Sequence, residues 1–112
     1  TRYSSVELME DGSVSLIWAI NDTLSENMVI RGAQLDIVKT AEKLCEAGYC
    51  NGLTMTGTFS MVDQYGNVSE DEVVDIFLSK NTLEKINWDN FLTDNIYNIA
   101  DDVFIHPAFR PE

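Results

Sequence analysis

The chain has 112 residues, 45% of them hydrophobic and 10% aromatic, and its formal net charge is −12, from 19 Asp plus Glu against 7 Lys plus Arg. This size and apolar content predict a single acidic domain, residues 1–112, and exclude a disordered acidic tail, which would lack the aromatics. The charge repels phosphate backbones and argues against direct DNA, RNA or anionic-membrane binding, and no run approaches the roughly 20 apolar residues of a membrane span.

The first twenty residues read as a β-hairpin. Val6 and Leu8 alternate with Ser5 and Glu7, and Val14, Leu16, Trp18 and Ile20 alternate with Ser13, Ser15, Ile17 and Ala19. Asp11-Gly12 between the two runs supplies the positive φ of a tight turn. Residues 23–32 support two readings. Thr23 with Glu26 fits a capping box that starts a helix early, whereas Met28-Val29-Ile30 before Gly32 fits a short strand. From Ala33 the helix is clear: Ile37, Val38, Ala41, Leu44 and Cys45 recur at helical spacing, and Gly48 stops it.

A period of two then runs through Leu53, Met55, Phe59 and Met61, with hydroxyl side chains between them and Gly57 interrupting the apolar row. Asp63 to Asn67 is a turn, and Val73 to Leu78 a returning strand. Ser69-Glu70-Asp71-Glu72 is expected in a long connecting loop. Trp88, Phe91, Leu92, Ile96, Ile99 and Val103 step by three and four, so the last third is expected to be helical. Its many Asn and Asp favour one or two short helices, ended by Pro107. The predicted fold is α+β: a small, mostly antiparallel sheet of four to five strands in the order ββ(β)αββα, with two or three helices packed on one face.

The motifs of chemistry are weak. Asp63, Tyr65, Asn67 and Ser69 share residue types with a calcium loop, but Val68 and Val74 stand where an EF-hand needs Gly and Glu. Cys45, Cys50 and the single His106 lack zinc spacing, and both thiols are expected as small buried hydrophobes. A Cys–His nucleophile oriented by Asp101 or Asp102 has no motif to support it. Phosphate-binding glycine loops are absent, so no cofactor is expected. Two cysteines make no disulfide framework and no signal-peptide pattern opens the sequence, which points to a reducing cytoplasm.

Charge placement carries more information. No Lys or Arg lies between Lys43 and Lys80, an interval holding Glu70, Asp71, Glu72 and Asp75, or between Lys85 and Arg110, which holds Asp94, Asp101 and Asp102. These acids are the expected partner-binding residues of a non-enzymatic module that engages a protein with a basic surface. In its sharper form the module is an inhibitor of the phage or mobile-element type, mimicking nucleic acid to block a DNA- or RNA-binding protein. The alternatives are an accessory subunit associating through Trp88 and Phe91 or Phe104 and Phe109, and a small enzyme with a carboxylate- or Cys-based site. An unpaired edge strand also offers a route to a homodimer.

Overall fold

The computed structural model describes residues 2–20 and 26–111. A five-stranded sheet has its strands side by side in chain order: β1 (Arg2–Leu8), β2 (Val14–Ala19), β3 (Leu53–Val62), β4 (Val68–Leu78) and β5 (Asp102–Ile105). All neighbours are antiparallel except β2 and β3, which the long helix α1 (Glu26–Glu46) joins as a parallel crossover. The predicted α+β sheet with helices on one face is the observed fold.

The helix layer forms because α1 carries Val29, Ala33, Ile37 and Ala41 four residues apart, all buried against the sheet. Met28–Ile30 therefore belongs to this helix and not to a strand. The capping pair Thr23 and Glu26 rests on Thr23, which lies outside the described residues. Two side-chain bonds fix α1 over the hairpin: Trp18 Nε1 donates to Asp36 Oδ2 at 3.1 Å, and the Tyr3 and Thr40 hydroxyls meet at 2.8 Å. The helix ends where Gly48 takes φ 93°, letting Tyr49 N–H reach the Leu44 carbonyl and Gly48 N–H reach that of Cys45.

That reversal corrects the expectation for the cysteines. It brings the Cα atoms of Cys45 and Cys50 to 4.3 Å, and the pair forms a disulfide instead of two buried thiols. Such bridges persist in oxidising surroundings, so the sulfur chemistry lends no support to a reducing compartment.

Two further differences come from the second half of the chain. The ladder between β3 and β4 runs out to Val62 and Val68, so Ser69–Glu72 lies in a strand and the loop shrinks to residues 63–67. The Asp63 carboxylate makes this short turn by accepting N–H bonds from Tyr65 and Asn67. Val103 belongs to β5 and not to the helical stripe, because Val103 and Ile105 alternate with Asp102 and Phe104. Between β4 and β5 lie only short helical pieces, α2 (Lys80–Lys85), a 3-10 turn (Thr93–Asn95) and α3 (Ile96–Ile99), with a last 3-10 turn at Pro107–Phe109. Leu83, Ile96 and Phe109 join the same core as α1, and Phe109 packs edge-on to Phe59 with centroids 5.0 Å apart.

Two buried polar atoms, Gln34 Nε2 and the Tyr97 hydroxyl, have no hydrogen-bond partner among the described residues. Each such group costs about 1–3 kcal/mol. Burial also pushes the Tyr97 pKa upward. Tyr97→Phe keeps the ring and removes the orphaned hydroxyl, so its urea midpoint should match or exceed the parent's, by up to about 1 kcal/mol of stability. A loss larger than that would show that the hydroxyl has a partner.

Candidate acidic sheet face

Because the helices cover one side of the sheet, strand alternation assigns every other residue to the uncovered side. The strand registers align those residues into two rows that cross all five strands. One row is Ser5, Ile17, Thr56, Asp75 and Phe104; the next is Glu7, Ser15, Thr54, Phe77 and Asp102. With strands spaced about 4.8 Å apart, each row spans roughly 20 Å.

A β-bulge in β4 decides where its acids point. Gly57 pairs with Val74 but Thr58 pairs with Glu72, so Val73 is the extra residue, and both valines are fully buried. Beyond the bulge Glu72 and Glu70 stay on the uncovered side, opposite Thr58 and Ser60. Thr58 Oγ1 donates to Glu70 Oε1 at 2.9 Å, which confirms the shared face, and Thr56 Oγ1 lies 3.5 Å from Asp75 Oδ1. Asp71 points to the opposite side with Ser69, whose hydroxyl it accepts at 3.2 Å.

The seven acids singled out in the sequence therefore separate. Glu70, Glu72, Asp75 and Asp102 share the open face, while Asp71 does not. Asp101 is occupied in the fold: its Oδ2 accepts the Ser79 N–H at 2.7 Å and the Thr82 hydroxyl at 2.8 Å, tying β5 to the start of α2. Asp94 lies in the helix layer, in a cleft with Arg31 and Arg110. Glu7 and Phe77 were missed. Their signal was period two plus register, and register is not readable from one sequence. Phe77 is 39% exposed and Phe104 54% exposed, so two aromatic rings stand among the carboxylates. Phe109, by contrast, is core, and Trp88 and Phe91 are half-buried against each other.

Strands β2 to β5 contain no Lys or Arg. Arg31, Lys39 and Lys43 lie on α1, Lys80 and Lys85 on α2, and Arg110 in the C-terminal segment. Apart from Arg2, at the start of the edge strand β1, the folded chain thus places its cations outside the sheet and leaves strands β2 to β5 with carboxylates alone as their charged groups.

Catalytic alternatives find little geometry. The disulfide occupies both sulfurs, and His106 Nδ1 accepts the Ala108 N–H at 3.1 Å. A depression of about 540 Å³ beside α2 is lined by Phe91, Ile86 and Ile99, and Lys85 is the one titratable group described in its wall. Among the described residues no group of three or more His, Cys, Asp or Glu is placed to hold a metal ion, and no helix is long and apolar enough to cross a membrane. Comparison with protein-family models, curated proteins and solved structures returns no match to the chain.

Three acids are held below the usual carboxylate range by hydrogen bonds: Asp101 chiefly by the Ser79 N–H, Asp63 chiefly by the Asn67 N–H, and Asp11 chiefly by the Ser13 hydroxyl. A carboxylate whose pKa is lower folded than unfolded stabilises the fold above its ordinary range, and that contribution is lost as pH falls through the depressed values. The urea midpoint should therefore drop below about pH 4, and Asp101→Asn should make that drop shallower. An unchanged acid limb in the variant would show that the Ser79 and Thr82 bonds do not contribute.

Proposed function

We propose that the chain is a non-enzymatic protein-binding module whose open sheet face engages a basic protein surface, and that it acts as a nucleic-acid mimic against a DNA- or RNA-binding partner. The observation that carries this reading is the grouping of Glu70, Glu72, Asp75 and Asp102 on one uncovered face whose strands β2 to β5 lack any cation. Side chains two apart on a strand stand about 6.6–6.8 Å apart, so the face offers a dense, regular row of negative charge. A partner's Lys/Arg groove meets the same long-range field there that it meets along a phosphate backbone. Phe77 and Phe104 add what a bare polyanion lacks: ring faces over which an arginine guanidinium can lie, each contact contributing about 0.5–2 kcal/mol.

The test uses the fact that neighbouring acids on β4 face opposite ways. A partner is captured from lysate, eluted by increasing salt, identified, and its affinity measured. The Glu70→Lys, Glu72→Lys, Asp75→Lys variant should bind at least about tenfold more weakly, with a shallower salt dependence. Asp71→Lys, on the other side of the same strand, should bind nearly as the parent does. Equal losses from both would indicate net charge and not a face. Binding that is insensitive to salt would refute the mimic and return attention to apolar association.

A further inference from the structure

The helix layer holds a second, different site. A cleft of about 900 Å³ opens between α1 and the C-terminal segments, with Arg31, Gln34, Asp94, Asn98 and Arg110 in its wall. This volume lies within the range of small-ligand clefts. Two features distinguish it from ordinary surface. Arg31 and Arg110 make no ion pair among the described residues, although the chain has a large excess of acids. Gln34 is only 2% exposed, and its Nε2 has no acceptor among the described residues. A buried donor and two unpaired guanidiniums thus line the same cavity.

We infer that this cleft binds the C-terminal end of a short peptide that bears a free carboxylate and an apolar last side chain. The guanidiniums of Arg31 and Arg110 match a carboxylate in fork geometry. The Gln34 amide supplies the N–H for a peptide carbonyl, and Asp94 accepts a peptide N–H. Met28, Ile30 and Pro107 in the same wall give the terminal side chain an apolar surface. Inorganic phosphate uses only the guanidiniums, and the Asp94 carboxylate opposes a multiply charged anion.

The experiment titrates the isotope-labelled full chain with N-acetyl-alanyl-leucine, with the same dipeptide as its C-terminal amide, and with inorganic phosphate. Binding is read from the Gln34 side-chain amide signals and from calorimetry. The free acid should bind with a Kd of roughly 0.1–1 mM and shift the Gln34 signals, and the amide and phosphate should each be at least about tenfold weaker. Arg31→Gln and Arg110→Gln, both at exposed positions, should each weaken the acid about tenfold. Gln34→Leu, which removes the unpaired donor, should fold at least as stably as the parent and bind the dipeptide several-fold more weakly. Equal affinity for acid and amide, phosphate binding as tight as the dipeptide, full binding by an arginine variant or by Gln34→Leu, or unmoved Gln34 signals would each overturn the assignment.

Discussion

Replacing Trp18 by alanine should lower the unfolding free energy by about 3–5 kcal/mol, as for other buried aromatic truncations. The indole is fully buried in the second strand, beside Tyr3 of β1 and Gly57 of β3 in register, and α1 closes over it. Alanine opens a cavity there and removes the 3.1 Å bond to Asp36 that links sheet and helix. Domains of this size are stable by about 5–15 kcal/mol in all, so the variant should sit close to its unfolding threshold. Trp18→Phe keeps most of the apolar volume and loses chiefly the hydrogen bond, about 1–2 kcal/mol. Urea unfolding followed by far-ultraviolet circular dichroism checks both. A Trp18→Ala loss under about 1.5 kcal/mol would mean that the hairpin and α1 are held together elsewhere. Trp18 points away from the acidic face, so the folded Trp18→Phe variant should keep its affinity for a basic partner. That separates damage to the fold from damage to the proposed site.

The sequence made the hairpin, the α1 core stripe and the β3 alternation legible because each is a local periodicity of apolar residues. It concealed β5, because Val103 satisfies a three-to-four spacing from Ile99 as well as a two-residue spacing to Ile105. What decides between them is tertiary: the Asp101 carboxylate is committed to the Ser79 N–H and the Thr82 hydroxyl at the start of α2, and its backbone N–H bonds to the Phe77 carbonyl, which starts the chain along β4. The acidic tract was visible as composition but misplaced in a loop. On a strand its members must alternate, and the Val73 bulge then sets which of them share a face. Such a bulge leaves no mark in sequence beyond two adjacent valines. The cleft between α1 and the C-terminal segments was invisible for a related reason, since Arg31 and Arg110 are far apart in the sequence and meet only through the fold. The disulfide was hidden by a sound general rule about paucity of cysteines, which a local turn at Gly48 overrides.

The interruption at Gly57 has a physical cause, and it yields the second large effect. Its φ is not in the left-handed region, so the backbone would accept a side chain; space would not. A Cβ there would lie 2.9 Å from Ile20 Cδ1 and 3.0 Å from Trp18 Cη2. The isoleucine end can swing aside, but the indole is rigid and enclosed. Gly57→Ala should therefore cost about 1–3 kcal/mol from overpacking, reduced by the roughly 0.5–1 kcal/mol that alanine gains over glycine in chain entropy. A double-mutant cycle isolates the cause. In a Trp18→Leu background the opposing ring edge is gone, and Gly57→Ala should become neutral or mildly stabilising, a coupling of about 1–3 kcal/mol read from urea midpoints. Additive losses would mean that the clash is with the sheet backbone or Ile20 and not with the indole. If the coupling appears, the glycine that breaks the alternation of β3 is explained by the tryptophan across from it.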